Sequence, residues 1–194
     1  MISLFLDSAC RDLAVGISID DKLVYNANYP CWQRQSELMI PEIEKALKSV
    51  NISLLDVDEV ICGKGPGSYT GVRIAMTIAK TIGAISNKKI KLISSLKIQG
   101  KKDKKYISLM NARSQRSYIG AYDKGKTILE DTIFTNEEVK SFIGSHPDFE
   151  VLGDVNYLGL DSKEFNLVEG MFSYKDEILE EKEVLSIKPV YLKD

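Results

Sequence analysis

The sequence is poor in the residues on which metal and redox sites depend. It has one histidine, His146, and three cysteines, Cys10, Cys31 and Cys62, none of them in a Cys-x-x-Cys pair. A zinc centre or a redox pair needs several such ligands close together. We therefore expect no metal and no cofactor to be bound by this chain alone, and cysteines that are reduced and mostly buried.

Long apolar runs and an excess of one charge are also missing. No stretch approaches the roughly 20 apolar residues that cross a bilayer, and the opening run MISLFLD is broken by Asp7 without a basic lead-in. We expect a soluble, cytoplasmic protein without membrane contact. Lys and Arg number 26 against 28 for Asp and Glu. Contact with RNA must therefore be local or shared with a partner.

Apolar periodicity and turn residues predict a regular first half. Short apolar runs indicate strands, and apolar residues at helical spacing indicate helices. The predicted strands are 2–7, 13–19, 23–29, 57–62 and 90–94, and the predicted helices are 36–50 and 70–86. The order is βββαβαβ.

A second pass of this pattern begins at Tyr106 and indicates an internal duplication. Asp7 aligns with Asn111, and Gly16 aligns with Gly120. A helix at 136–144, a strand at 149–153 and an acidic helix at 175–185 are predicted to follow. Duplicated βββαβα halves, the second abbreviated, predict an α/β protein of the actin-like ATPase fold shared by sugar kinases and heat-shock ATPases. The predicted subdomains are 1–96 and 105–194, joined by a Lys-rich linker at 97–104.

A glycine-rich turn, GKGPGSYTG, lies between a predicted strand and a helix capped by Ser68 or Thr70. In a Walker A loop the lysine comes at the end, but Lys64 precedes this turn, and Ser68 replaces the last glycine of a G-x-G-x-x-G fingerprint. The favoured interpretation is a structural turn that needs glycine dihedrals, formed by Gly65, Pro66 and Gly67. An anion site at the helix N-terminus is the alternative.

The helix after this turn is apolar on nearly its whole circumference, which requires burial on more than one side. Ala75, Ala79 and Gly83 also form a strip of small residues suited to close helix approach. We therefore predict that part of this helix lies in a protein interface. The alternative is a helix wedged between the sheet and the neighbouring helix.

The string GPGSYTGVRIA resembles the signature of the TsaB (YeaZ) family. Other segments resemble family segments in the same order: LDSA, QSELMIPEI, SSL, NARSQRSYIGAYD and the closing PVYLK. The resemblance covers nearly the whole chain and is thinnest between 127 and 187.

This resemblance implies an actin-like fold and a non-catalytic scaffold role. Family members pair with a larger TsaD-like catalytic homologue, and a TsaE-like ATPase joins them to add a threonylcarbamoyl group to the adenosine next to the anticodon of tRNA. The resemblance implies tRNA contact only within the complex and an interface on the first two helices. Because a surface made for a homologous partner is often nearly self-complementary, we also expect a homodimer through it. The expected interface residues are Leu38, Met39, Ile43, Leu47, Tyr69, Thr70, Val72, Arg73, Ala75, Met76, Ala79, Ile82 and Gly83.

Two departures from the family pattern bear on catalysis. Gln35 replaces the histidine of many members, and Asn111 replaces an aspartate.

An independent ATPase or kinase, the first alternative function, needs two flexible phosphate hairpins with a carboxylate, and the turns after Asp7 and at Asn111 lack glycine. A metal-dependent hydrolase, the second alternative, would have His146 as its only imidazole.

A run of lysines is the last candidate site, either solvated surface or a contact for the tRNA backbone. Its members are Lys88, Lys89, Lys91, Lys97, Lys101, Lys102, Lys104 and Lys105.

Overall fold

The computed structural model describes residues 1–31 and 33–192. The first half contains β1 (Ile2–Asp7), β2 (Asp12–Ile19), β3 (Lys22–Pro30), α1 (Gln35–Ser49), β4 (Glu59–Gly63), α2 (Tyr69–Ser86) and β5 (Lys89–Ile93). These elements confirm the predicted order, with ends that differ by no more than a residue or two.

The first sheet has the strand order β3-β2-β1-β4-β5. The three-stranded meander is antiparallel, while β1, β4 and β5 run parallel and are connected through the helices. Side chains alternate between the two faces of each strand. Leu4 and Leu6 therefore pack on one face with Met39 of α1 and Ala79 of α2, while Phe5 lies on the other face.

The second half repeats this plan in shorter form. It contains β6 (Lys105–Arg113), β7 (Arg116–Asp123), β8 (Lys126–Thr135), α3 (Asn136–Ser145), β9 (Glu150–Gly153) and α4 (Leu167–Tyr174). The sheet order is β8-β7-β6-β9, which matches the first sheet without its last strand. The duplicated actin-like topology with an abbreviated second half is thus confirmed.

The predicted acidic helix at 175–185 is wrong, and helix α4 lies just before it. Leu179 is 85% exposed, whereas Ile178 and Val184 are half-buried and pack on two different core clusters. Two of the acidic side chains pair with lysines far away in the sequence: Glu177 with Lys102, and Glu180 with Lys89 at 3.9 Å. The segment therefore makes its contacts as an irregular chain.

Helix α4 covers the face of the first sheet opposite α1 and α2. Leu167, Val168 and Met171 are fully buried and pack with Phe5. The chain then continues over β5 and α2 as an irregular segment, residues 180–191, which we call the C-terminal strap. The predicted boundary is therefore wrong at the carboxyl end, because residues from 167 onwards pack on the first half. Lys193, which closes the PVYLK segment, and Asp194 lie outside the described residues.

The predicted linker at 97–104 also packs against the rest of the chain. It begins with a short 3₁₀ helix (Lys97–Gln99) in which Ile98 is fully buried against α4. A Cβ at Gly170 of α4 would lie 1.9 Å from the carbonyl oxygen of Ile98. The two segments are thus in backbone contact.

This contact gives a stability prediction. Gly170→Ala should lower the free energy of unfolding by roughly 1 to 3 kcal/mol, because the added methyl forces α4 away from Ile98. Gly144→Ala in α3 is the matched control, since a Cβ there meets nothing within 4 Å, and it should raise stability by about 0.5 to 1 kcal/mol. Urea unfolding measures both, and equal effects of the two substitutions would contradict this packing.

Candidate functional site

Asp7 lies at the carboxyl end of β1, where an actin-like ATPase would hold its catalytic carboxylate. The side chain is fully buried. Its Oδ2 accepts a hydrogen bond from Ser95 Oγ at 2.7 Å, and its Oδ1 accepts one from the backbone N–H of Ala9 at 2.9 Å. Ser95 Oγ also accepts from the N–H of Gly65 at 3.1 Å. Asp7 therefore joins the ends of β1, β4 and β5.

Burial raises the pKa of Asp7 to about 6, although the hydrogen bonds from Ser95 and Ala9 oppose this shift. A Cβ at Gly63 would lie 1.7 Å from Asp7 Oδ2, so the carboxylate is packed directly against the backbone of β4. The carboxylate is therefore held inside the first half and does not line the cleft between the two halves. Sequence reasoning missed Ser95, although the SSL segment that contains it was noted for its resemblance.

The glycine-rich turn packs closely on the turn after β1. Gly65 has a φ of 89°, which a larger residue adopts only with strain. Cβ atoms at Gly67 and Gly71 would lie 2.3 Å and 2.1 Å from the carbonyl oxygens of Ala9 and Ser8. Ser68 caps α2 by accepting from the N–H of Gly71 at 3.3 Å. The glycines thus allow two backbones to approach each other.

The second hairpin differs from the first. Asn111 is exposed, and its Oδ1 accepts from the N–H of Arg113 at 2.8 Å. An open cleft of about 1700 Å³ separates the two hairpins. Its walls carry both signs of charge, including Arg11, Lys163 and Glu164. The cleft therefore has the position of a nucleotide site but no freely placed carboxylate from Asp7.

Histidine and cysteine form no catalytic cluster in the described residues. His146 stacks on Phe142 with ring centroids 4.2 Å apart. Cys31 and Cys62 are buried, and burial raises the pKa of the Cys62 thiol. Across 1–31 and 33–192 no three His, Cys, Asp or Glu side chains come together in a way that could hold a metal. The helices in these ranges are also too short or too polar to cross a membrane.

Eight of the predicted interface residues are instead buried within this chain, so their assignment to an interface is wrong. They pack between the first sheet, the neighbouring helix and the C-terminal strap: a Cβ at Gly83, for example, would lie 2.9 Å from Val184 of the strap. The wedged-helix alternative therefore holds for this side of α2. The eight are Met39, Ile43, Val72, Ala75, Met76, Ala79, Ile82 and Gly83.

The other five lie on or near the outer face of α1 and α2. Tyr69, Thr70 and Arg73 are exposed, and Leu38 and Leu47 are half-buried. Two apolar side chains missing from the predicted interface, Ile40 of α1 and Ile85 of α2, are 48% and 74% exposed. A shallow groove of about 420 Å³ separates the helices; it is lined by Ser36, Tyr69, Thr70, Arg73, Ile74, Thr77 and Ile78. We call the groove, together with the exposed Ile40 and Ile85, the outer helix face.

Much of the lysine run is paired with carboxylates. Lys101 contacts Glu169 at 2.5 Å, and Lys102 contacts Glu177. Lys91 contacts the buried Glu59 at 2.8 Å. These acids offset the positive charge that a tRNA backbone would need.

The Asp7 network predicts a pH dependence of stability. The pKa of Asp7 is about 6 in the folded chain against an ordinary 3.8. The folded state therefore holds the proton more tightly, and this stabilisation is present below about pH 4 and lost as pH rises through about 6. The free energy of unfolding of the native chain should fall by about 2 to 3 kcal/mol relative to Asp7→Asn between these values. If urea unfolding gives the same pH dependence of the free energy of unfolding for both proteins, the raised pKa of Asp7 is refuted.

Comparison with known proteins agrees with this topology. A family model described as TsaD, tRNA N6-adenosine threonylcarbamoyltransferase, matches residues 31–142. YeaZ from Pseudomonas aeruginosa has the same fold, with a TM-score of 0.75 over 98% of this chain and 99% of that chain at 18% identity.

Two curated relatives named TsaB align with about two thirds of this chain. The tRNA threonylcarbamoyladenosine biosynthesis protein TsaB of Buchnera aphidicola subsp. Schizaphis graminum is 30% identical over 145 residues, which are 68% of this chain and 67% of that protein. TsaB of Bacillus subtilis is 27% identical over 139 residues, 69% of this chain and 60% of that protein. These matches span roughly two thirds of each relative's length. Together with the family model, they establish that this chain belongs to the TsaB (YeaZ) family.

Proposed function

We propose that this chain acts in tRNA threonylcarbamoyladenosine biosynthesis as a non-catalytic subunit. The observation that carries the proposal is the buried network of Asp7, which uses the carboxylate at the end of β1 as a structural link. The names of the relatives supply the pathway, and the outer helix face supplies a surface for a partner.

The alternative functions are weaker on the same grounds. An independent ATPase or kinase needs a carboxylate that reaches the nucleotide's magnesium and orients the attacking group, and Asp7 is fully buried and does not line the cleft. A metal-dependent hydrolase needs clustered ligands around an open metal position, and His146 is stacked on an aromatic ring instead.

The proposed partner is a TsaD-type catalytic homologue, bound through the outer helix face. Exposed apolar side chains such as Ile40 and Tyr69 lose contact with water when such a partner binds, which favours association. A partner with the same fold presents equivalent helices, so the pair is pseudo-symmetric, and the same face allows a homodimer in the absence of the partner.

Two further components belong to the proposal. A TsaE-like ATPase supplies the nucleotide chemistry that this chain lacks, and tRNA is the acceptor within the assembled complex. The pairing of Lys101 and Lys102 with carboxylates favours a tRNA contact made mainly by other subunits. The proposed reaction is transfer of a threonylcarbamoyl group to the adenosine next to the anticodon.

A charge placed in the groove tests the interface. Thr77→Arg puts a long cation at an exposed position in the middle of the outer helix face. Binding to the TsaD-type partner should weaken by roughly 30-fold or more, because the long side chain fills the groove that a partner side chain would enter. Co-purification and tRNA modification by the reconstituted system measure the loss.

The control for this substitution is Thr127→Arg, at an exposed position on β8 of the second half. It introduces the same side chain away from the outer helix face and should leave binding unchanged. Full binding and modification with Thr77→Arg would show that the partner docks elsewhere.

A further inference from the structure

The C-terminal strap is held to α2 and its neighbours by contacts at several points. At its start, the N–H of Glu181 donates to the carbonyl of Ile90 at 2.8 Å. In its middle, Ile187 is buried and its carbonyl accepts from Lys80 Nζ at 3.2 Å. Near its end, the N–H of Val190 donates to the carbonyl of Lys64 at 2.7 Å. The strap thus covers one side of α2 and leaves the outer helix face open.

The strap ends at a cluster of three exposed side chains. The ring of Tyr191 stacks on Tyr69 with centroids 5.1 Å apart. Arg73 Nε donates to the hydroxyl of Tyr191 at 2.7 Å, and the guanidinium carbon lies 3.9 Å from the centroid of the Tyr69 ring. Tyr69 is 58% exposed and Tyr191 is 42% exposed. We call these residues the strap anchor.

The anchor contains one cation, the guanidinium of Arg73. Among the described residues, Arg73 interacts with the two tyrosines and forms no ion pair with a carboxylate. By contrast, Lys89 pairs with Glu180 at the start of the strap, and Lys102 pairs with Glu177 just before it. A guanidinium fixed by stacking and one hydrogen bond keeps donors suited to a carboxylate.

We propose that the strap anchor is part of the partner interface and that Arg73 binds an aspartate or glutamate side chain of the TsaD-type partner. This inference rests on the proposed function, to which it adds the strap and the chemistry of the group that is bound. The groove beside Arg73, lined by Ile74 and Ile78 among others, takes an apolar side chain next to that carboxylate. The partner surface therefore carries an apolar and an acidic side chain next to each other.

The physical advantage of the anchor is pre-organisation. An arginine that is mobile before binding loses rotamer freedom when it binds. Arg73 is already held by the Tyr69 ring and the Tyr191 hydroxyl, which lowers this entropic cost. Tyrosine and arginine also account for a large share of the binding energy at protein interfaces. The hydroxyl of Tyr191 thus acts as a positioning group for Arg73.

The test measures the dissociation constant of the chain with its TsaD-type partner by calorimetry. Arg73→Glu should weaken binding by roughly 100-fold, since it opposes like charges, and Arg73→Lys by roughly tenfold, since it loses the planar fork. Tyr191→Phe keeps the ring but loses the hydroxyl, and should weaken binding by about threefold to tenfold. Lys140→Glu, an exposed charge reversal on α3, is the control and should bind like the native chain.

A rescue experiment identifies the bound group. Replacing the facing acidic residue of the partner by lysine should restore binding to Arg73→Glu and weaken binding to the native chain. Because Arg73 and both tyrosines are exposed, each variant should keep the fold. Urea unfolding of each variant checks this.

The outcomes separate the two proposals. If the native chain binds the partner and Arg73→Glu binds equally well, this inference is wrong and the proposed function stands. If Tyr191→Phe alone is without effect, the role of the strap is wrong. If the native chain does not bind the partner at all, both proposals fail. If the anchor variants weaken only self-association, the occupant is a second copy, which contradicts the inference.

Discussion

The hydrogen bond between Ser95 and the buried carboxylate of Asp7 is the constraint on which the first half depends. It joins strands β1 and β5 and, through the N–H of Gly65, the turn after β4. That turn sets the start of α2, where Ser8 Oγ donates to the carbonyl of Gly71. The position of the catalytic aspartate in an actin-like ATPase is thus used here to fix the direction of α2. The chain keeps the actin-like architecture, with Asp7 buried in a network beside the start of α2.

Helix α2 has two buried sides and one open side, and this arrangement explains its composition. Ala75 and Ala79 pack on the sheet and α1, while Gly83 lies between Ile90 and Val184 of the strap. The open side begins at Tyr69 and Arg73 and continues to Ile85. An apolar surface on every side of a helix therefore does not by itself locate an interface. The strap decides which side remains available.

The sequence predicted the elements of the first half because their signals are local. The short apolar run in Ile2–Asp7 and the helical spacing in Tyr69–Ser86 are visible within a few residues. Helix Leu167–Tyr174 was missed because it has eight residues, mostly apolar and buried, with too little length for a periodic pattern. The acidic segment after it is rich in glutamate, leucine and lysine, which favour helices, but Glu177 and Glu180 pair with lysines of earlier segments. The burial of Ala79 and Gly83 depends on contacts more distant still, which composition cannot reveal.

The central claim is that Asp7 is a structural residue in a subunit that works by binding. The most direct measurement is tRNA threonylcarbamoylation by the reconstituted complex containing Asp7→Asn, under conditions where the variant is folded and bound to its partner. The asparagine keeps the shape of the side chain and can hydrogen-bond to Ser95 and Ala9. The account predicts activity within about twofold of the native complex, since no transition-state interaction is lost. A loss of about 100-fold or more in a folded, assembled complex would contradict it and assign Asp7 to the chemistry.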